Sequence, residues 1–204
     1  MRVYFHELND TYENFQIHYF GNICNWYTQK EFYKLRRVFR DRIINRMLQE
    51  KDFILDENGK KIYTINEKKN FSCSYTGFYI AVGLSDYKIG IDIEDYNKIS
   101  ADKIHIFSSD YELSLVQSEI NCSASIATAT LVWCCKESLG KLFDVGLARG
   151  FKAFEFYHSV NGSLNIEKNF DSNNYDDVHI YYKLFDYKCF VICSFHRLER
   201  SYLC

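Results

Sequence analysis

The sequence predicts an α+β protein built from two similar halves, each with a helix packed on a small antiparallel sheet. Helical and extended patterns follow in the order helix then strands, and this order occurs twice along the 204 residues. Each of these two helix-and-strand segments covers about 100 residues, the size of a small domain. The hydrophobic share of 47% with 25% charged residues is ordinary for a chain that buries a core. We therefore expect an N-terminal half over residues 1–86 and a C-terminal half over residues 87–204.

The N-terminal half opens on a predicted strand over 2–8, followed by a long helix over 29–49. Apolar residues at three- and four-residue steps mark one side of this helix, and lysines and arginines cover the other. Residues 56–60, with Asn-Gly at their centre, predict a turn between two short strands.

A hairpin is expected to join the two halves. Residues 71–75 and 78–84 read as strands. A turn at Ser85-Asp86 would then pair the second of these with a strand over 87–94.

The C-terminal half begins with two predicted helices, over 109–118 and 123–142. Ser108 or Ser109 would cap the first, and Ala and Leu are abundant in the second. The crowding of Asn, Asp and Ser predicts an exposed loop over 161–177. Three strands complete this half, over 150–158, 179–185 and 187–196.

Composition excludes several classes of protein. A net charge of −2 argues against broad nucleic-acid binding, which needs a basic surface. We expect a cytoplasmic protein without membrane contact, because no stretch resembles a signal peptide or a bilayer-spanning segment. The eight cysteines lack Cys-x-x-Cys spacing, which favours reduced and mostly buried thiols over a zinc site.

The first motif that carries chemistry is G-I-D-I-E at residues 90–94. Its alternation is that of a strand with isoleucines on one face and both Asp92 and Glu94 on the other. Two carboxylates aimed the same way from a rigid element suit Mg²⁺, which prefers oxygen ligands. The alternative is the solvated face of an edge hairpin, the commonest origin of Asp-x-Glu.

The second motif is W-C-C-K-E-S-L-G-K at residues 133–141. A helix would place Glu137 and Lys141 on one stripe with Trp133 a turn earlier, and Lys136 adds a second cation. The alternative is an ordinary helix-surface pair, which contributes only ~0.3–0.5 kcal/mol. Together, the two motifs offer three carboxylates and a lysine, which suit a divalent cation and a phosphate and hence phosphoryl-type transfer.

The two motifs, in this order and at this separation, resemble the 4′-phosphopantetheinyl transferases of the surfactin-synthetase-activating type. That family carries a G-(I/V)-D-(I/V)-E strand followed by a W-x-x-K-E-x-x-x-K helix. Weaker matches extend from about Asn58 to the C-terminus. The resemblance implies a monomer whose two similar halves form a pseudo-dimer in one chain, with the active site in the cleft between them.

The resemblance also implies an activity and roles for named residues. A serine of an acyl- or peptidyl-carrier protein would attack the β-phosphate of coenzyme A, and 3′,5′-ADP would leave. Asp92, Glu94 and Glu137 would bind Mg²⁺, and Glu137 would also serve as the base for the serine hydroxyl. Lys141 would contact the phosphates of coenzyme A, with Lys136 beside them.

Softer matches place further residues at coenzyme A. Lys60, in a turn that resembles the family's G-K-P, would contact the 3′-phosphate; a merely solvated turn is the alternative. The segment F-S-C-S-Y-T-G at 71–77 resembles F-N-x-S-H-S, which puts Ser74 and Tyr75 at the coenzyme. Tyr75 stands where histidine is typical and, unlike histidine, cannot become cationic, so we expect a weaker hold on a phosphate. The basic face of the first helix could supply further phosphate contacts through Lys34, Arg37 or Arg40, but for most of these residues we favour the alternative of a solvated helix face.

Two alternatives to the transferase stay open at this point. A chain of the same fold that has lost catalysis would only bind carrier proteins or coenzyme A. An unrelated Mg²⁺-dependent phosphohydrolase would use the same carboxylates and would release phosphate without any carrier protein.

Overall fold

The structure is a computed structural model with eleven strands and four α-helices in its described part. The strands are β1 (Val3–Glu7), β2 (Phe15–Tyr19), β3 (Phe53–Leu55), β4 (Ile62–Thr64), β5 (Asn70–Thr76), β6 (Tyr79–Ser85), β7 (Ile89–Asp95), β8 (Phe154–His158), β9 (Leu164–Lys168), β10 (Val178–Phe185) and β11 (Lys188–Ser194). The helices are α1 (Gln29–Met47), α2 (Ile104–Phe107), α3 (Asp110–Glu119) and α4 (Ser125–Leu142). The described residues are 1–8, 15–19, 28–47, 53–55, 62–64, 70–145, 153–159, 162–168 and 177–197.

A four-stranded sheet with the order β1-β10-β11-β7 carries helix α4 on one face. The isoleucines of β7 point to the opposite face, where they pack in a core with Tyr181, Phe190 and Ile192. The other face of β7 touches α4 closely, because a Cβ at Gly90 would lie 1.8 Å from the carbonyl oxygen of Ser138. Only glycine permits this approach, so the first motif position fixes how near the helix comes to the strand.

A three-stranded sheet with the order β2-β6-β5 packs against helix α1. The helix begins with a reciprocal cap, in which Thr28 Oγ1 accepts from the Glu31 amide and Glu31 accepts from the Thr28 amide. Phe32 and Ile44 of α1 are fully buried against Ile80 of β6. The helix predicted over 29–49 is therefore confirmed over its described residues.

The predicted hairpin between β6 and β7 is wrong. Strand β6 already pairs on both of its edges, with β5 and with β2, so it has no free edge for β7. Strand β7 pairs instead with β11 in the other sheet. Sequence proximity favoured the hairpin, but the pairing with a strand about 100 residues away prevails.

The loop predicted over 161–177 is also partly wrong. Strand β9 lies inside it and pairs antiparallel with β8, and its buried Leu164 and Ile166 join the main core. The short strands β3 and β4 pair antiparallel as predicted, whereas the turn between them lies outside the described residues. Six described cysteines are free thiols, four of them buried, as predicted.

The architecture is mixed α+β, as the order of patterns predicts. Strand β1, however, pairs in parallel with β10 and belongs to the sheet of the C-terminal half, so the chain crosses the expected boundary at residues 86/87. Within the described ranges, no helix is both long enough and apolar enough to cross a membrane.

Two sheet edges meet where β5 faces β7. The contact runs through side chains: Ser72 Oγ accepts from the Ile91 amide at 2.9 Å, and Ser74 and Thr76 donate to carboxylates on β7. Because β5 follows α1 and β7 precedes α4, this hydroxyl ladder (Ser72, Ser74 and Thr76) brings the N-terminal sheet to the face of β7 that carries the motif.

Candidate active site

Asp92 lies at the centre of the site and is 5% exposed. Its Oδ1 accepts from Ser74 Oγ at 2.7 Å and from Lys141 Nζ at 2.9 Å. A buried carboxylate needs such partners because desolvation of an unpaired charge is costly. The alternative of a solvated hairpin face is therefore excluded for Asp92.

Lys141 crosses from α4 to both sheets. Besides Asp92, its Nζ donates to the carbonyl of Ile91 at 2.6 Å and lies 3.5 Å from the carbonyl of Cys73. Burial lowers the pKa of Lys141, but the Asp92 carboxylate and then Glu137 outweigh it, so the pKa is raised overall and the side chain stays cationic. The lysine pairs across elements with Asp92, and is not an ordinary helix-surface pair with Glu137.

Glu94 lies two positions further along the same face of β7. Its Oε1 accepts from Thr76 Oγ1 at 2.5 Å and from the Asp95 amide at 2.9 Å, and Lys98 Nζ lies 3.0 Å away. Thr76 and Lys98 therefore both bind the same oxygen of Glu94, and the side chain is half-buried.

Glu137 faces the carboxylates of β7 from helix α4. Its pKa is raised, chiefly by burial and then by the negative charge of Asp92, with a smaller contribution from Glu94; Lys141 opposes the shift. The charges of both β7 carboxylates thus act on Glu137. Of the four residues that the two motifs predicted to converge, Asp92 and Lys141 are in direct contact, and Glu137 interacts electrostatically with Asp92, Glu94 and Lys141.

The donor set of this site suits a hard divalent cation, because it consists of carboxylates whose mutual repulsion a cation relieves. Among the described residues, however, no three His, Cys, Asp or Glu side chains lie close enough together to form a ready-made metal centre. Two ammonium groups contact these carboxylates, that of Lys141 at Asp92 and that of Lys98 at Glu94.

Ser74 and Tyr75 point to different surroundings. Ser74 holds Asp92, whereas Tyr75 packs on the α1 side of its sheet, with the Arg36 guanidinium 5.0 Å from its ring centroid. Burial, followed by the neighbouring Cys73 thiol, raises the pKa of Tyr75, so its hydroxyl stays neutral. Two positive charges act on Tyr75, that of Arg40 and that of Arg36, and the sequence interpretation named only Arg40.

The other predicted phosphate contacts differ in position. Lys34 and Arg37 are exposed on α1, whereas Arg40 is buried, pairs with Asp41 at 2.6 Å and covers the ring of Phe71. Lys60 lies outside the described residues.

Lys136 has a different set of partners from the one expected at a substrate phosphate. Its side chain is buried, and its Nζ lies 2.8 Å from Glu112 Oε2 and 2.5 Å from the carbonyl of Phe107. Burial lowers the pKa of Lys136, and the Glu112 carboxylate opposes that shift only in part. The ammonium is thus enclosed by protein groups.

Glu112 is the important residue that the sequence interpretation missed. The pattern Ser109-x-x-Glu112 is that of a capping box, and Ser109 Oγ does accept from the Glu112 amide at 3.2 Å. The Glu112 side chain turns inward, however, and is 3% exposed. An acidic residue in the first turn of a helix that follows a Phe-Ser pair was the available signal.

A cleft of about 340 Å³ opens beside Glu94. Phe107 and Trp133 form part of its wall, and their rings meet edge to face at 5.2 Å. The remaining lining residues are Lys98, Ile99, Ser100, Lys103 and Ile106. The cleft is therefore apolar on its walls and carries lysines, next to one of the motif carboxylates.

The model of the 4′-phosphopantetheinyl transferase superfamily matches residues 88–192 of this chain. The chain belongs to that superfamily. The matched segment contains both motifs and, with them, all four converging residues. The prediction of a 4′-phosphopantetheinyl transferase is confirmed at the level of the superfamily.

Comparison with solved structures finds a fold similar to that of holo-acyl-carrier-protein synthase from Helicobacter pylori, solved in complex with coenzyme A. The two share 18% sequence identity over 52% of this chain and 97% of that chain, with a TM-score of 0.41. A search among curated protein sequences gave no match.

Proposed function

We propose that the protein transfers the 4′-phosphopantetheine arm of coenzyme A to a serine of an acyl- or peptidyl-carrier protein and releases 3′,5′-ADP. The observation that carries this proposal is the Lys141 ammonium, which lies 2.9 Å from Asp92 within the segment that matches the superfamily. An ammonium group beside carboxylates can bind a diphosphate. The carboxylates can then hold the metal ion that accompanies the diphosphate and can accept the proton of the attacking hydroxyl.

In the proposed reaction, the serine Oγ attacks the phosphorus of the β-phosphate, and the bond from that phosphorus to the bridging oxygen breaks. The bridging oxygen leaves with 3′,5′-ADP, and Lys141 stabilises the charge that develops there. Glu137 accepts the serine proton. Its raised pKa suits this role, because a base works best when its pKa approaches the operating pH.

We further propose Mg²⁺ as the cofactor, held by Asp92, Glu94 and Glu137. The pKa of Glu137 is raised chiefly by burial and then by the negative charges of Asp92 and Glu94, and a bound cation would offset both effects. When bound, the ion would neutralise charge on the pyrophosphate of coenzyme A.

The site arrangement supports an active-site cleft between two α+β halves of a monomer. Lys141 of the second half reaches the Cys73 carbonyl of the first, and Ser74 and Thr76 of the first half hold Asp92 and Glu94 of the second. Coenzyme A would lie along this junction, with contacts from Ser74, Tyr75 and Lys60 as proposals.

The test is transfer to an apo carrier protein. Incubation with coenzyme A and Mg²⁺ should add the phosphopantetheine arm, detected as a mass increase of the carrier protein. Glu94→Ala and Glu137→Ala should each lower the rate by at least about 100-fold. Glu167→Ala, on the exposed face of β9, is the matched control and should leave it unchanged.

Other outcomes separate the alternatives. Binding of carrier protein or coenzyme A without transfer would select the non-catalytic binding module. Phosphate release from nucleotides without carrier protein would select the phosphohydrolase. Full transfer activity in both glutamate variants would refute the proposed site.

A further inference from the structure

The buried ion pair between Lys136 and Glu112 lies on the far side of Phe107 from Glu94, outside the converging motif residues. Their side chains are 1% and 4% exposed, and the Nζ–Oε2 distance is 2.8 Å. Such a pair is costly to bury unless further hydrogen bonds satisfy both partners. The question is therefore what this pair holds in place.

Glu112 is satisfied by three donors from three parts of the chain. Its Oε2 accepts from Lys136 and from Ser108 Oγ at 2.9 Å, and its Oε1 accepts from the Phe156 amide of β8 at 3.1 Å. The carboxylate thus ties helix α4, the corner between α2 and α3, and strand β8 to one point.

Lys136 connects this point to the cleft beside Glu94. Its Nζ donates to the Phe107 carbonyl, and the Phe107 ring packs on Trp133, one turn before Lys136 on α4. Both rings line the cleft together with Glu94. Displacement of the ammonium would therefore move the cleft wall.

We propose that Lys136 is a positioning residue that acts through Phe107 and Trp133 on the cleft beside Glu94, and that it does not bind coenzyme A. This inference rests on the proposed function for the reaction that the cleft serves. Its content is separate from that function. It states that Lys136, the first lysine of the second motif, pairs with Glu112, and that Lys141 is the lysine that contacts the phosphate.

The test compares Lys136→Met, Glu112→Gln/Lys136→Met and, as the matched control, Lys141→Met. Lys136→Met leaves a buried carboxylate without its counter-charge, so Tm should fall by roughly 10 °C and kcat by at least tenfold. In the double variant the glutamine still accepts from the Phe156 amide and carries no charge. Tm should then return to within about 3 °C of wild type, whereas kcat should stay at least tenfold low, because the Phe107 carbonyl still lacks the donor that Lys136 supplies.

Affinity for coenzyme A is the second measurement, because the loss of a residue that binds the phosphates of coenzyme A would lower it. We expect Kd and KM for coenzyme A to stay within about twofold of wild type in both Lys136 variants, and to rise at least tenfold in Lys141→Met. A tenfold weaker affinity for coenzyme A in the double variant, whose stability is restored, would overturn the inference. An unchanged Tm and kcat in Lys136→Met would also overturn it.

The design separates this inference from the proposed function. If the wild-type protein transfers nothing, the proposed function fails, and calorimetric binding of coenzyme A by the three variants still decides the role of Lys136. If Lys136→Met does not fold, the double variant decides: wild-type affinity supports the inference and lost affinity overturns it.

Discussion

Two lysines on helix α4 share their chemistry but not their surroundings. Lys136 is 1% exposed and closed off by Glu112, whereas Lys141 keeps 31% of its side chain exposed while it contacts Asp92. Lys136 and Glu112 line a cavity of about 270 Å³, but the Lys136 ammonium is already bound by Glu112 and by the Phe107 carbonyl. In the open pair, a phosphate can reach the partly exposed Lys141 ammonium while Lys141 stays paired with the buried Asp92. Burial, more than residue type or motif, separates the two roles.

The largest expected effect comes from the open lysine. Lys141→Met should lower the transfer rate by about 100-fold or more, because it removes the cation that stabilises the leaving phosphate. Lys88→Met removes an exposed lysine paired with Asp144 and should leave the rate unchanged. Both rates are measured by mass spectrometry of the carrier protein. Equal activity of Lys141→Met and Lys88→Met would mean that Lys141 contributes no more to transfer than an ordinary exposed lysine. Its open position would then have no functional meaning.

A second prediction concerns the packing of helix α4, which carries both lysines, against strand β7. Gly90→Ala would place a methyl group 1.8 Å from the Ser138 carbonyl, so α4 must shift away from β7. We expect a loss of about 3 kcal/mol or more in the free energy of unfolding, measured by urea denaturation, since an overpacked core costs ~1–3 kcal/mol even without a backbone clash. A stability equal to that of wild type would show that α4 does not lie against β7 at this point.

The smallest expected effect concerns Glu137 and pH. Its pKa is raised in the folded protein, so its ionisation disfavours folding, and this penalty is present above its folded pKa and absent below its ordinary value of 4.5. Without metal, Glu137→Gln should therefore raise Tm modestly at pH 7, and the gain should vanish as the pH falls below 4.5.

Added Mg²⁺ sharpens this pH test. It should stabilise the wild type at pH 7 and have a weaker effect on Glu137→Gln, which lacks one carboxylate. A Tm gain that persists unchanged below pH 4.5 would mean that the carboxylate of Glu137 is not the cause.

The strength of the sequence interpretation was periodicity, and its weakness was long-range pairing. The two-residue period placed Asp92 and Glu94 on one face, and the four-residue step placed Glu137 and Lys141 on one stripe. Neither period tells what packs against that face, so Lys136 was assigned to the substrate although it lies against Glu112. A helical pattern fixes spacing along the helix, while the partner comes from an element elsewhere in the chain.

Strand partners escaped prediction for the same reason. No residue pattern within β7 indicates that β11 pairs with it. In 161–177, the polar composition predicted a loop, and the few apolar residues of β9 did not suffice to predict a strand. The strands β5, β6 and β10 were predictable because aromatic and aliphatic residues recur along each of them. Their order in the sheets was not, because it depends on contacts far apart in sequence.

The hydroxyl ladder between β5 and β7 has a consequence for solubility. Each of these strands ends its own hydrogen-bonded sheet, and a bare strand border is a template on which another polypeptide can add and aggregate. Here the two borders shield each other, and Ser72 occupies the Ile91 amide that an incoming strand would use. The hydroxyl ladder that holds Asp92 and Glu94 therefore also covers strand edges on which another polypeptide could add.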